Sequence, residues 1–403
     1  MQILHRITAA FAFFFLTAAS HAAPASSGID AAKLAAVRHR MQAFVDDGTI
    51  SGAVTLVARH DKIVSLDVVG LADIANKKPM RADHLFWIAS MTKPITAVAV
   101  LILQDEGKLN VEDSVEKYLP EFKGQWLVNE KSKERQILVP APRPITLRDL
   151  LTHTSGVGDV SAPRPECSLA ELVMAYSQQP LQFPPGGKWS YSNPGINTLG
   201  RIVEVVSGQG FAEFLQRRIF NPLGMKDTTF WPTPAQATRL AKSYKPAKDG
   251  KGLEETEIFF IKGGLSNRQR TPMPAGGLFS TARDIGRFYQ MTLNGGELDG
   301  KRILSRQSLA LMTRTQTGDI KTGFTDGMSW GFGFQVVKEP QGVTAMLSPG
   351  TFGHGGAYAT QSWADPKRDL ILVLMIQRAG FPNGDNSTVR RAFQEAAVAA
   401  IEN

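Results

Sequence analysis

The sequence predicts an α/β fold of the α+β type. One antiparallel sheet is built from both ends of the chain and flanked by helices, with a helical lobe inserted between its halves. Two β-like runs near the start, 53–58 and 63–69, predict the first strands, and a solid apolar run at 370–375 predicts a strand near the end. Between about 110 and 320, helical patterns alternate with loops rich in Pro and Gly. Strands near both termini with helices between them favour this arrangement.

The first element is a helix over residues 30–47, where apolar side chains recur at helical spacing. They are Leu34, Val37, Met41 and Phe44. The runs 53–58 and 63–69 then form a hairpin that turns around Asp61 and Lys62. An extended piece at 85–89 leads into a heavily apolar helix over 91–109, which we expect to be buried on most sides.

The middle of the chain predicts three further helices, at 145–151, 203–220 and 282–293. Residues 122–144 are polar with little periodicity, so we expect a surface insertion or lid there. The C-terminal part returns to extended segments, followed by a last helix. These segments are 331–337, 357–364 and 370–375, with a turn at 365–368 and the helix at 388–401.

We therefore expect one domain over 23–403. Its sheet lobe comprises about 30–90 and 325–403, and its helical lobe about 91–324. Residues 1–22 predict a cleavable secretory signal, because Arg6 precedes an apolar run and Ser20-His21-Ala22 supplies small residues where a signal peptidase cuts. Cleavage after Ala22 predicts a periplasmic or secreted protein without stable membrane insertion, if the source is bacterial.

Composition narrows the function classes. The chain has 403 residues, 43% of them apolar, which is typical of a folded globular protein rather than a disordered or coiled-coil chain. The formal net charge is +8, but the Lys and Arg residues are scattered singly and in pairs, so we expect no nucleic-acid partner. The single cysteine, Cys167, excludes an intramolecular disulfide framework. The histidines at 39, 60, 84 and 153 show no ligand spacing, so we expect no metal, and no phosphate-binding or nucleotide motif indicates a cofactor.

Ser90 and Lys93 form the first candidate catalytic pair. Three residues on a helix is about one turn, so the hydroxyl and the amine share a face at the start of the buried helix. The helix N-terminus favours a developing oxyanion, and a desolvated lysine can activate a serine. The same spacing recurs at Ser114 and Lys117, but that copy lies in a polar stretch beyond the buried helix.

Tyr191 and Asn193 form the second motif, Tyr-Ser-Asn, between Pro- and Gly-rich residues that place it on a tight loop. A tyrosine beside an ammonium can act as a general base and then as an acid. The third motif is His354-Gly355-Gly356-Ala357, which precedes a β-like run. Its glycines let the backbone approach a ligand, and the following strand can offer an N–H to a carbonyl oxygen.

These three motifs, in this order, resemble those of the serine-reactive family of class C β-lactamases, DD-peptidases and family VIII carboxylesterases. Sequence segments at 86–90, 150–157 and 276–284 support this resemblance, which covers roughly residues 30–400. It implies the β-lactamase/DD-peptidase-like fold and a covalent acyl-enzyme on Ser90, with Lys93 and Tyr191 in the proton relay. It also implies that Asn193 contacts the acyl part of the substrate and that the N–H groups of Ser90 and Ala357 form the oxyanion hole. Either Lys93 or Tyr191 can be the acylation base.

The third motif departs from the lactamase pattern, in which a lysine helps to recognise a substrate carboxylate. His354 holds that place here and is largely neutral near pH 7, because the ordinary pKa of histidine is about 6.5. A Lys321-Thr322-Gly323 also occurs, but loop-like residues follow it rather than a strand. Ser329 lies in a Gly-x-Ser-x-Gly pentapeptide that lacks the strand and helix context of an α/β-hydrolase nucleophile.

We therefore predict a secreted serine hydrolase that acts on a small-molecule ester or amide, with a carboxylesterase on small esters as the first expectation. The alternatives are a class C-type β-lactamase, a DD-peptidase or a D-amino-acid amidase. A non-catalytic peptidoglycan-binding relative is a further alternative, which the presence of Ser90, Lys93 and Tyr191 disfavours.

Overall fold

The main sheet of the protein is antiparallel and combines strands from both ends of the chain, as predicted. The computed structural model describes residues 28–160, 166–258, 261, 264–381 and 387–402, so the predicted signal segment 1–22 lies outside the described residues. Its strands are β1 Gly52–Arg59, β2 Lys62–Asp73, β3 Lys78–Pro79, β12 Met328–Trp330, β13 Gln335–Val337, β14 Phe352–Gly355, β15 Gln361–Asp365 and β16 Leu370–Met375. From edge to edge the strand order is β12-β13-β14-β15-β16-β1-β2-β3.

Short two-stranded ribbons accompany the main sheet. They pair β4 Phe86–Trp87 with β9 Phe279–Ser280, β5 Trp126–Lys131 with β6 Gln136–Pro140, β7 Tyr244–Pro246 with β8 Leu253–Glu255, and β10 Glu297–Leu298 with β11 Lys301–Arg302. The segment expected to be a surface insertion or lid thus contains a hairpin, β5–β6, with mostly exposed side chains.

The α-helices flank the sheet and fill the middle of the chain. They are α1 Ala31–Asp46, α2 Thr92–Asp105, α3 Leu147–Leu151, α4 Leu169–Ser177, α5 Asn193–Ser207, α6 Phe211–Leu215, α7 Asn221–Leu223, α8 Pro234–Ala237, α9 Ala282–Leu293, α10 Arg306–Thr313 and α11 Thr388–Ala399. A π-helical turn spans Gln216–Phe220, and 3₁₀ turns span Ala89–Met91, Val115–Lys117, Pro120–Phe122 and Gly342–Thr344. Within the described residues, no helix combines the length and apolar character needed to cross a bilayer.

Strand β16 shows why the terminal runs form this sheet. Successive side chains of a strand point to opposite faces. Leu370, Leu372 and Leu374 pack in the core beneath α1 and α11, whereas Ile371, Val373 and Met375 pack in the larger core around α2 and α9. Both faces are therefore covered, which explains a continuous apolar run in place of an alternating one. Pairing with β1 places Val54 opposite Met375 and joins the two ends of the chain.

Three element predictions need correction. The segment 203–220 is not one helix, because α5 ends at Ser207 and Gly208 follows with φ +68°, a left-handed conformation that closes a helix C-terminus. Asn193 is not on the loop but is the first residue of α5, capped by Ser192. The strand expected to begin at 357 begins at Gln361 instead, because residues 356–360 form a turn with Ala359 at φ +69°. The division into two lobes at the stated boundaries stays a prediction.

Candidate active site

Ser90 lies in a tight 3₁₀ turn that connects β4 to the buried helix α2. Ala89, immediately before it, has φ +47°, a left-handed conformation that costs energy in a residue other than glycine. Thr92 stabilises this turn, because its hydroxyl donates to the carbonyl of Ala89 at 2.7 Å and accepts from the N–H of Leu278 at 3.3 Å. The serine is thereby fixed at the edge of a cleft rather than within the helix.

Lys93 lies one turn after Ser90, on the same side of the helix, as the spacing predicts. Its Nζ is 2.9 Å from Oγ of Ser90 and donates to the carbonyl of Ala275 at 2.7 Å. The side chain is fully buried, and this burial lowers the pKa of Lys93 well below its usual value of 10.5. This shift favours the uncharged amine, which is the form that can accept a proton from the serine hydroxyl.

Tyr191 meets this pair from the loop before α5. The Nζ atom of Lys93 lies 4.6 Å from the centroid of the tyrosine ring. The ring packs in an aromatic cluster, with centroid distances of 4.6 Å to His153, 5.2 Å to Phe324 and 5.9 Å to Trp330. The structure therefore brings Ser90, Lys93 and Tyr191 together from two segments about a hundred residues apart.

His153 positions the loop of Tyr191, a role that the sequence analysis missed. Its Nδ1 accepts the N–H of Ser192 at 3.1 Å, and its carbonyl accepts the N–H of Ser190 at 2.9 Å. Nδ1 is therefore an acceptor, which assigns the ring proton to Nε2 in the neutral form. Burial lowers the pKa of His153 well below 6.5. The sequence indication of this role was that His153 lies in the segment 150–157, which supports the family resemblance.

A cleft of about 120 Å³ opens beside Ser90. Ser90, Asn193 and Ala357 line it together, so one residue from each of the three predicted motifs borders the same space. The other lining residues are Trp87, Ala89, Ile261, Met273, Ala275, Gly276 and Gly277. None of these lining residues is charged. The indole N–H of Trp87 donates to the carbonyl of Gly276 at 2.7 Å, which fixes one apolar wall.

His354, Gly355 and Gly356 lie beside the cleft but are not among its lining residues. His354 is 2% exposed, on β14, and its ring contacts Trp330 and Tyr191. Its Nδ1 donates to the carbonyl of Gly355 at 2.7 Å. Burial lowers the pKa of His354 to about 3, so the imidazole is neutral at pH 7. Direct contact of these three residues with substrate stays a prediction.

The competing motifs lie elsewhere in the structure. The side chain of Lys321 is 90% exposed and pairs with Asp326 at 3.3 Å. Ser329 is buried on β12, with its Oγ 3.1 Å from Oγ1 of Thr317. Lys117 is an exposed side chain that pairs with Asp113 at 2.9 Å. None of these three residues lines the cleft beside Ser90.

Sequence comparisons show which known proteins this chain resembles. The profile of the beta-lactamase family matches residues 37–397. An uncharacterised protein of Mycobacterium tuberculosis is 34% identical over 82% of this chain and 87% of its own length. Esterase EstB of Burkholderia gladioli is 30% identical over 88% of this chain and 93% of its own length. A putative D-alanyl-D-alanine carboxypeptidase of Escherichia coli is 26% identical over 82% of this chain and 79% of its own length.

Solved structures show the same fold. EstCE1, described as a hydrolase with promiscuous acyltransferase activity, superposes with a TM-score of 0.75 at 24% identity. The match covers 92% of this chain and 99% of that one. The predicted β-lactamase/DD-peptidase-like fold is therefore confirmed, and the extent of the family match shows that this chain belongs to the beta-lactamase family of serine hydrolases.

Proposed function

We propose that the protein is a carboxylesterase that hydrolyses small neutral esters through a covalent acyl-enzyme on Ser90. The observation that carries this proposal is the cleft itself, because an activated serine borders an apolar space with no charged side chain among the lining residues that the structure describes. Small esters need apolar contact and an activated nucleophile but no cationic partner. The 30% sequence identity with esterase EstB supports the assignment of esterase activity.

The first chemical step joins Ser90 to the substrate. Oγ of Ser90 attacks the ester carbonyl carbon while its proton passes to the neutral Nζ of Lys93, 2.9 Å away. We assign this proton transfer to Lys93, because its Nζ lies 2.9 Å from Oγ and burial lowers its pKa. The hydrogen bond from Nζ to Ala275 keeps the amine in place during the transfer.

The remaining steps release the two products. Collapse of the tetrahedral intermediate breaks the ester C–O bond, and the leaving alcohol takes a proton that Tyr191 or Lys93 returns. Water then attacks the acyl-enzyme carbonyl, gives its proton to the same relay, and regenerates Ser90 with release of the acid. In both tetrahedral intermediates the N–H groups of Ser90 and Ala357 stabilise the oxyanion, and Asn193 contacts the acyl chain.

The preference for neutral substrates follows from the third motif. A neutral, buried imidazole occupies the position where lactamase relatives have a lysine, and a lost charge-assisted hydrogen bond costs about 1.5–3 kcal/mol. Carboxylated β-lactams and D-alanyl peptides lose that contribution, whereas an uncharged ester does not. We also propose, from the features of residues 1–22, that the enzyme works in the periplasm or outside the cell.

A substrate panel tests the proposal. We expect short-chain p-nitrophenyl esters to be hydrolysed with a higher kcat/KM than a chromogenic cephalosporin or a D-alanyl-D-alanine peptide. Lys321→Ala provides a control, because Lys321 is the alternative cation for a substrate carboxylate. We expect this variant to leave all three rates unchanged. A wild type that hydrolyses the cephalosporin or the peptide faster than any ester would overturn the esterase assignment.

A further inference from the structure

Arg390, on the C-terminal helix α11, holds the turn that carries Ala357. The side chain is 1% exposed, and its guanidinium donates to three backbone carbonyls of the turn 356–360. The distances are 3.0 Å to Gly356, 3.3 Å to Ala359 and 2.7 Å to Thr360. The planar guanidinium, with five donors in fixed directions, can satisfy several carbonyls at once. A buried arginine thus anchors the turn 356–360 through hydrogen bonds from the interior of the protein.

The bond to Gly356 has a directional consequence for Ala357. In a trans peptide the C=O of one residue and the N–H of the next point in opposite directions. The carbonyl of Gly356 accepts hydrogen bonds from Arg390 and from the N–H of Ala359, each at 3.0 Å, so the N–H of Ala357 points away from both donors. Ala357 itself lines the cleft with Ser90. Arg390, together with the N–H of Ala359, therefore fixes the direction of the N–H group that the oxyanion hole requires.

This peptide needs such a restraint because it follows a glycine. Glycine reaches backbone conformations that other residues rarely adopt, so a peptide unit beside it reorients more easily. A larger residue is not an alternative at 356, since a Cβ there would lie 2.1 Å from Oγ1 of Thr360 and 2.6 Å from the carbonyl of Ile88. The close approach to Ile88, two residues before Ser90, thus requires glycine at 356, and hydrogen bonds from Arg390 and from the N–H of Ala359 restrain the peptide that follows it.

We propose that Arg390 is a positioning residue that keeps the Gly356–Ala357 peptide oriented for oxyanion binding. This inference rests on the proposed acyl-enzyme mechanism. Hydrogen bonds from a cation to a carbonyl also polarise the peptide, which makes the N–H of Ala357 a stronger donor. Arg390 touches no reacting atom. Loss of Arg390 is therefore expected to destabilise the transition state, in which the substrate carbonyl oxygen carries a negative charge, more than the bound ester, in which that oxygen is neutral.

Three variants test this role. In Arg390→Gln, kcat is expected to fall about 10²-fold or more, as when one oxyanion-hole donor is lost, with KM changed less than about threefold. In Arg390→Lys, one ammonium reaches fewer carbonyls, so we expect partial rescue to an intermediate kcat. Arg391→Gln is the matched control, because Arg391 is the next residue on the same helix and forms an exposed pair with Glu395. It is expected to equal the wild type.

Active-site titration separates positioning from stability. A fluorophosphonate counts the chains with a competent Ser90, and kcat is expressed per labelled site. A boronic acid that forms a tetrahedral adduct is expected to lose affinity in parallel with kcat/KM. An unchanged kcat per site in Arg390→Gln would overturn the proposal. If that variant does not fold, an unchanged kcat in Arg390→Lys overturns it equally. A wild type that labels at Ser90 but hydrolyses no ester would contradict the esterase assignment alone, since labelling rates still compare the variants.

Discussion

Replacement of Lys93 by methionine separates activity from stability more clearly than any other change at the site. Methionine is unbranched and apolar, so it fills the space of the lysine stem without the amine. The variant loses the base 2.9 Å from Oγ of Ser90, and loss of a general base lowers kcat by about 10²–10⁴-fold. It also leaves the carbonyl of Ala275 without this donor, which costs about 1–3 kcal/mol of unfolding free energy.

The pH dependence of stability provides the second measurement. Burial lowers the pKa of Lys93 in the folded state, whereas the unfolded chain keeps a value of about 10.4. Between these two values the unfolded state binds one more proton, so the unfolding free energy of the wild type rises by about 1.4 kcal/mol per pH unit. Lys93→Met removes this slope. The unfolding free energy of the wild type minus that of the variant is therefore expected to increase as the pH rises toward 10.

The assays are ester hydrolysis and urea unfolding across pH 6–10, with the difference between wild type and variant plotted against pH. Lys117→Met is the control, because Lys117 belongs to the second Ser-x-x-Lys spacing but is exposed and paired with Asp113. It is expected to retain full activity. Turnover by Lys93→Met at the wild-type rate would refute Lys93 as the base. A difference in stability that does not change with pH would refute the lowered pKa.

Two further predictions concern the nucleophile and the third motif. A fluorophosphonate is expected to label the wild type and Ser329→Ala equally and Ser90→Ala not at all, as measured by peptide mass spectrometry; labelling at Ser329 would contradict the site. Gly356→Ala is expected to lower Tm and the unfolding free energy by about 1–3 kcal/mol, because its Cβ meets the carbonyl of Ile88 at 2.6 Å. Gly210→Ala, where a Cβ has open space, is the control, and equal Tm values in the two variants would count against this packing argument.

The sequence predicts those features that depend on neighbouring residues. The proximity of Ser90 and Lys93 follows from helical spacing alone, and the structure places Oγ of Ser90 2.9 Å from Nζ of Lys93. The hairpin of β1 and β2 and the apolar run of β16 likewise follow from local patterns and are confirmed. Pairing between β1 and β16 joins residues more than three hundred positions apart. It was predictable because both runs are apolar on both faces and each needs cover from helices.

Features that depend on distant contacts were not predictable in the same way. The burial of His354 results from its contacts with Trp330 and Tyr191, which come from other segments of the chain. Arg390 bonds carbonyls about thirty residues earlier, and no sequence pattern links an arginine on a helix to backbone groups of a turn. The start of α5 at Asn193 was missed because Pro194 and Gly195 resemble a loop, although proline is favourable in the first turn of a helix.

The lowered pKa of Lys93 and the neutral cleft support one another. The pKa of Lys93 is lowered by burial alone, so any negative charge brought close to Nζ would stabilise the ammonium form and raise that pKa. A substrate carboxylate in the cleft would have this effect, because none of the described lining residues supplies a cation to balance it. A neutral ester leaves the amine uncharged and able to accept the proton of Ser90. The proposed preference for neutral substrates is therefore supported by how the base is activated as well as by the absence of a lysine at position 354.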